Sequence, residues 1–269
     1  MHRPRVIFLA AGQGSRLGAL VRETHKCLLP VGGEPLLART VRQFQQQGLD
    51  EITVVVGHFA DRVEAALARF SGVTLVENPD YASDINIRSL QLGLGRKAGP
   101  VLVVESDVVM DDPAVAQIST AAKSGESVWF TQGRLKPRQL GGVVRSNAAG
   151  DVTDLRYVPA YDESLSKYRK LLGVLAIGAK QRPLFQRLLR EGAASSLGQY
   201  YMMPWVQHLL SLPCSAYDLA HRRVATYNTP DEYRRCCDLF EVERVVPTRF
   251  GVASVSNRSA HGDHALHLS

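Results

Sequence analysis

The order of the apolar runs constrains this chain more than any other feature. Through the first half, short β-branched and aliphatic runs alternate with longer amphipathic segments. Residues 6–9 (VIFL) lead to "GEPLLARTVRQFQQQG", then "EITVVVG", "ADRVEAALARF", "VTLVENP", "NIRSLQLGLGRK" and "PVLVVESD". Aliphatic runs without polar alternation suit strands covered on both faces. Such strands separated by helix-length segments make βαβ units, which predicts an α/β fold with a doubly wound, mostly parallel sheet. In the first helix the spacing predicts Pro35 at the first helical position, Leu37, Val41 and Phe44 on the apolar face, and Gly48 as the stop.

The pattern then changes. "SVWFTQG", "GGVVRS", "DVTDLRYV" and "LLGVLAIG" read as strands between turn residues, which predicts a small mixed β extension. Helices return at "RPLFQRLLREG" and "YYMMPWVQHLLS". The segment "RRVATYNTPDEYRRCCDLF" predicts strand, turn and helix, with a capping box at Thr229, Pro230 and Glu232. Beyond about residue 243 the periodicity is lost, and a loosely ordered tail is expected, with one short strand at "FGVASV".

Composition narrows the classes. A chain of 269 residues, 45% apolar and 22% charged, can bury a full α/β core. No run of eighteen apolar residues is present, so no helical membrane span is expected. The opening "MHRPRVIFLAAGQG" enters its glycines too soon for a signal peptide. Cys27, Cys214, Cys236 and Cys237 have neither metal-ligand spacing nor disulfide regularity, which suits a reducing compartment. The expectation is a cytoplasmic protein without a membrane partner. The net charge of +6 is spread, with clusters at Arg134–Lys136–Arg138 and Arg222–Arg223. Few aromatics interleave with these charges, so no nucleic-acid partner is expected; a solvated basic surface and a polyanionic substrate both fit.

Gly12, Gly14 and Gly18 follow the first strand at once, in "FLAAGQGSRLG". Backbone stripped of side chains can bring N–H groups against a bulky anion, and Arg16 adds a fixed fork matched to phosphate oxygens. A plain glycine-rich turn with a surface arginine fits the same letters. Three more candidates fall at strand ends or just beyond the loop. Lys26 follows Arg16 after nine intervening residues, Glu105 and Asp107 stand in "ESD", and Asn228 follows "RVATY". Taken singly, Lys26 reads as a surface lysine, Asp107 as a helix cap (Asp111 or Asp112 being better placed), and Asn228 as a turn residue. Taken together they supply an anion cradle, two cations and hard oxygen donors of the kind Mg²⁺ uses alongside phosphates. α/β sheets collect their ligands at such strand ends. The joint pattern points to a nucleoside triphosphate.

"LAAGQGSRLG", Lys26 and "LLPVGGEPLLARTV" together resemble the start of the sugar-phosphate and phosphocholine type nucleotidyltransferases. "ESD" and "YNTPDEYRRC" stand where that family keeps its metal-binding aspartate and final metal ligand. The resemblance covers about residues 5–240. It implies a Rossmann-like nucleotidyltransferase fold and transfer of a nucleoside monophosphate onto a phosphate or phosphonate, with release of pyrophosphate. Two departures stand out: His25 replaces the proline common before the lysine, and "ESD" replaces Gly-Asp or Asp-x-Asp. Neither removes a charge that the reaction needs. "NPDYASDINIRSLQLGL" is similar to a stretch of the phosphocholine and phosphonate cytidylyltransferases, matching at Tyr81, Asn86, Ser89 and Leu90, with Ile85 in place of an asparagine.

The resemblance therefore implies CTP as donor and Mg²⁺ as cofactor. It implies Arg16 and Lys26 as catalytic cations, and Leu9, Ala10, Ala11, Gly12, Gly14 and Ser15, with Asn86, Ser89 and Gln91, as nucleotide-binding residues. Asp107, Asn228 and Glu105 are the implied metal ligands. Residues 1–242 form the expected transferase domain: a nucleotide-binding half to about 125, an acceptor-binding part over about 126–225, and a return to the metal site over about 224–242. For the acceptor, Tyr157, Tyr161, Asp162, Tyr200, Tyr201 and Trp205 make an aromatic set suited to an ammonium group. The same rings suit plain packing, and Arg134, Lys136 and Arg138 offer an alternative anion site. A sugar-1-phosphate uridylyl- or thymidylyltransferase and a non-catalytic nucleotide-sensing subunit are the rival readings, and a homo-oligomer is left open.

Overall fold

The computed structural model describes residues 3–240; the expected tail and its short strand lie outside the described residues. The chain opens with β1 (Arg5–Ala10), and a small hairpin of β2 (Pro30–Val31) and β3 (Glu34–Pro35) precedes α1 (Leu36–Gln46). There follow β4 (Ile52–Val56), α2 (Ala60–Leu67), β5 (Val73–Glu77), α3 (Ile87–Leu94), β6 (Val101–Glu105), β7 (Val108–Met110) and α4 (Asp112–Lys123). The second half holds β8 (Val128–Arg134), β9 (Gly141–Ser146), β10 (Val152–Val158), β11 (Arg169–Ile177) and α5 (Arg182–Ser195). It closes with α6 (Met203–Gln207), β12 (Ser215–Asp218), β13 (Val224–Thr226) and α7 (Pro230–Phe240).

The main sheet has nine strands, in the order β10-β9-β11-β6-β1-β4-β5, with β8 pairing β11 and β12. Strands β5, β4, β1 and β6 are mutually parallel, as the βαβ pattern predicts. From β1 the chain steps outward to β4 and β5, then crosses back to β6 on the other side of β1. The loops leaving β1 and β6 therefore diverge, and the crevice between them is where sheets of this kind bind ligands. The mixed extension attaches through β11, antiparallel to β6 and to β8 and β9.

Alternation along β1 builds a core on each face. Val6, Phe8 and Ala10 pack with Leu37, Val41 and Phe44 of α1 and with Val115 and Ile118 of α4. Ile7 and Leu9 pack with α3, α5 and α6 on the opposite face. Gly93 of α3 allows that helix to lie close, because a Cβ there would sit 2.7 Å from Ile7 Cγ2. A third core decides the shape of the crevice. Leu17 and Val21, beyond the glycine loop, pack with Leu29 and Val31, with Val109 of β7, and with Tyr227, Cys236 and Phe240 from the far end of the described chain.

Two sequence expectations change. Pro35 does not open α1: paired with Pro30 in the hairpin, it keeps an extended ψ of 129° and stands at the N-cap, so Leu36 is the first helical residue. The segment "YYMMPWVQHLLS" holds only the five-residue α6. The strand predicted in "RRVATY" is β13, but its pairing with β7 and the edge strand β12 were not apparent from hydrophobic pattern, since β7 and β12 have only three and four residues. The capping box is present, with Glu232 N–H donating to Thr229 Oγ1 at 3.3 Å and Glu232 Oε2 accepting from Asn228 N–H at 2.7 Å.

Candidate active site

The loop after β1 turns left-handed at Gly14 (φ 64°) and Gly18 (φ 57°), conformations that favour glycine. A Cβ on Gly14 would lie 3.3 Å from Lys26 Cβ, so this glycine also makes room for the lysine stem. Beside Gly12 the space is open. Among the described residues, the Gly12, Gln13 and Gly14 N–H groups have no acceptor, and the loop borders a hollow of about 230 Å³. Leu9, Ala10 and Ala11 lie in the packed core behind it.

Arg16 and Lys26 are each bonded to a candidate metal ligand. The Arg16 guanidinium donates to Asn228 Oδ1 at 2.8 Å, and Lys26 Nζ lies 2.8 Å from Asp107 Oδ2. Tyr227 fixes the lysine's backbone by donating its hydroxyl to the Lys26 carbonyl at 2.7 Å. Burial works against the Lys26 charge, but Asp107, through charge and hydrogen bond, and then Glu105 outweigh it and hold the ammonium pKa above its usual value. The other Asp107 oxygen, Oδ1, is buried without a partner.

A second hollow, of about 250 Å³, opens on the extension side of β6. Glu105, Lys170 and Tyr157 line it from the sheet strands β6, β11 and β10, Asp107 from the turn after β6, and Asn86, Tyr200 and Tyr201 from the segments before α3 and α6. Burial, then the nearby Asp107 charge, raises the Glu105 pKa, while Lys26, Lys170 and the neighbouring Tyr201 hydroxyl pull it down. Asn86 Oδ1 accepts from Tyr201 N–H at 2.8 Å and so ties the segment before α6 to the start of α3. The Tyr157 and Tyr200 rings stack at 4.6 Å, and burial with their mutual hydrogen bond pushes the Tyr200 hydroxyl up to about 12. Lys170 was missed by sequence reading: it sits in the strand run "RKLLGVLAIG" with no motif around it. Its ammonium reaches the Leu171 carbonyl at 3.2 Å and no carboxylate by ion pair among the described residues. Burial lowers its pKa, against the pull of Glu105, Asp107 and Glu232.

Several expected site residues lie elsewhere. Ser89 is buried in a hub in which Asp84 accepts from its hydroxyl at 2.7 Å and its N–H at 2.8 Å, so it holds the start of α3 and borders neither hollow. Gln91 faces a different groove and accepts from Arg88 at 3.0 Å. Trp205 is fully buried, its indole N–H donating to the Leu212 carbonyl at 2.9 Å. Tyr161 packs against a small cluster under the extension, and Asp162 caps a short turn by accepting from Ser164 N–H at 2.7 Å. Large rings in this region were needed for packing before they were available for a ligand. Conversely, Tyr81, which borders the loop hollow, lies against Gly57, where a Cβ would be 2.5 Å from Tyr81 Cβ.

The loop, the strand-end acids and the crevice between β1 and β6 coincide with a known family. A model of the MobA-like NTP transferase domain matches residues 6–210. The chain belongs to that family. Its NTP transferase domain is 38% identical over 153 residues to the CMP-5'-(3-aminopropyl)phosphonate synthase of Streptomyces rubellomurinus, covering 56% of this chain and 24% of that protein. It is 30% identical over 116 residues to the 2-aminoethylphosphonate cytidylyltransferase of Lancefieldella rimae, covering 43% of this chain and 47% of that one. The match thus spans less than half the length of either curated relative. In fold, the chain superposes on the CTP:phosphocholine cytidylyltransferase of Streptococcus pneumoniae with a TM-score of 0.76 at 21% identity, covering 89% of this chain and 100% of that one. No helix among the described residues is long and apolar enough to cross a membrane.

Proposed function

We propose that this chain is a cytidylyltransferase that moves CMP from CTP to a small phosphorylated or phosphonate acceptor. The observation that carries this reading is a shared wall: Arg16, Lys26 and Asn228 border both the loop hollow and the β6 hollow. A triphosphate in the first and an oxyanion in the second would meet at these side chains. The aminophosphonate enzymes among the relatives support CTP as the donor.

The acceptor is already ionised near neutral pH, so alignment and charge neutralisation suffice and no general base is needed. One acceptor oxygen attacks the α-phosphorus in line. The new O–P bond forms as the bond to the β-phosphate oxygen breaks, and pyrophosphate leaves with that electron pair. The unpaired N–H groups of Gly12, Gln13 and Gly14 receive the outer phosphates, Arg16 faces the leaving group, and Lys26 the α-phosphate. Lys170, across the β6 hollow, faces the acceptor's oxyanion. The Tyr157–Tyr200 pair offers ring faces to an acceptor ammonium.

The donor set fits magnesium. The orphaned Asp107 Oδ1 and the amide oxygen of Asn228 are hard ligands, and one or two such oxygens beside substrate phosphates suit this ion. Asp107 and Asn228 would hold it, with Glu105 as a further ligand. Bound there, the ion would neutralise phosphate charge.

The test is pyrophosphate release with each common NTP against phosphocholine, aminophosphonates and sugar 1-phosphates. Turnover with CTP and an amino-bearing phosphate or phosphonate is expected. A preference for UTP or dTTP with a sugar 1-phosphate would replace this reading. Absence of turnover with every pair, together with tight nucleotide binding, would make the chain a sensing subunit.

A further inference from the structure

His25 stands where the resembling family commonly has proline, and the structure gives it two bonds that proline cannot make. The side chain is 1% exposed. Its Nδ1 accepts from Cys27 N–H at 3.1 Å, with Cys27 Sγ 3.0 Å from the same nitrogen. Its Nε2 lies 2.8 Å from the Gly12 carbonyl oxygen. A backbone N–H can only donate and a carbonyl can only accept. The ring is therefore neutral, with its proton on Nε2. It bridges the glycine loop to the turn that carries Lys26, a link across thirteen positions of sequence.

We propose that His25 is a positioning residue that aims the phosphate loop. In a trans peptide the C=O of one residue and the N–H of the next point in opposite directions, and no cis peptide is present among the described residues. Holding the Gly12 carbonyl against the imidazole therefore turns the Gln13 N–H away from His25. Gln13 borders the loop hollow, and this N–H has no acceptor among the described residues. The same ring caps the Lys26 turn, so one side chain sets the loop donor and the lysine relative to each other. Groups facing the imidazole are Lys26, His58, Cys27 and Asp107.

The choice of nucleotide rests on the proposed function, so the test reads the loop with pyrophosphate as well as with CTP. Two substitutions separate the two bonds. His25→Asn keeps a side-chain acceptor for Cys27 N–H at a favoured cap position but is too short for Gly12. His25→Pro fits the backbone angle of −78° at this position and removes both bonds. By calorimetry, both variants should bind pyrophosphate and CTP about 10- to 100-fold more weakly, the range of one lost hydrogen bond to a charged group. The acceptor KM should stay unchanged, and ¹⁵N spectra of the parent should show His25 as the Nε2–H tautomer. Pyrophosphate affinity unchanged in His25→Asn would overturn the proposal, as would an Nδ1–H tautomer. So would an equal rise in donor and acceptor KM with a lowered melting temperature, which is the mark of a general packing role. Weakened pyrophosphate binding with no CTP turnover in the parent would uphold the loop role and remove the nucleotide assignment.

Discussion

Lys26 Nζ and Asp107 Oδ2 lie 2.8 Å apart, with their side chains only 17% and 4% exposed, so the cation proposed for the α-phosphate and the carboxylate proposed for the metal neutralise each other. Removing one partner strands a charge that has little access to water. Asp107→Ala is expected to lower turnover by about 10²–10³ and to cost about 3 kcal/mol or more of stability. Pyrophosphate release and urea unfolding check the two effects. Replacing both residues, as Lys26→Met with Asp107→Leu, should return most of the stability and none of the activity.

Lys26→Ala separates transition-state stabilisation from binding. If the ammonium meets charge that develops on the α-phosphoryl group, kcat falls far more than CTP affinity. Single-turnover rates and calorimetry on one preparation should show a drop of about 10²–10³ in rate. Lys26→Arg should recover little, because a wider fork does not replace a point charge. A collapse in affinity at an unchanged saturated rate would make Lys26 a ground-state binding group.

Gly14 and Gly12 predict different defects from the same added methyl. At Gly14 an alanine must take φ 64° and press on Lys26 Cβ and Cδ at 3.3 and 3.4 Å. Gly14→Ala should therefore cost about 1–2 kcal/mol of stability and lower kcat by shifting the lysine. At Gly12 a methyl enters open space, so Gly12→Ala should leave the melting temperature alone and weaken CTP binding. Equal CTP affinity in Gly12→Ala and the parent would show that no phosphate reaches that side of the loop.

Lys170→Met should raise the acceptor KM by about 10- to 100-fold, the cost of a hydrogen bond to a charged group, while the KM for CTP stays within about twofold. Steady-state kinetics with each substrate varied in turn would decide this. A rise in the CTP constant alone would move Lys170 to the donor side.

His25 gives the fold an acid-sensitive contribution. Burial first, then the Lys26 charge, lowers its pKa from 6.5 to about 4. Between those values the unfolded chain binds the proton and the folded chain does not, so stability rises with pH across the window and is lost as pH falls through it. The loss should reach about 3 kcal/mol at the acid end. Urea unfolding from pH 7 to pH 4 should show a steeper decline for the parent than for His25→Asn. Parallel curves would mean that the imidazole charges freely in the folded protein.

The parallel half of the sheet was legible because runs such as Val101–Val104 and Ile52–Val56 have to be covered on both faces, and their spacing leaves little choice of topology. The loop, Asp107 and Asn228 drew notice because each ends or follows a strand run, and Lys26 by its spacing from Arg16. Lys170 was not, since a lysine in a strand has no local signature and becomes a candidate only when β11 pairs with β6 beside Glu105. Trp205 and Tyr161 misled for the reverse reason: an aromatic residue looks alike in a sequence whether it faces a ligand or a core. The buried bond of Asp107 to Lys26 could not be read from positions that far apart.

The core that joins Leu17 and Val21 to Tyr227, Cys236 and Phe240 bears on the order of events during synthesis. The glycine loop leaves the ribosome ahead of nearly all of the described fold, and the side chains that brace it are among the last of the described residues. A nascent chain halted before Tyr227 would have every strand of the parallel half available for pairing. Its Lys26 turn would still lack the tyrosine hydroxyl, and Arg16 would lack Asn228. Nucleotide affinity should therefore appear late, after most of the sheet can form, and its appearance in a translation time course would mark the arrival of α7.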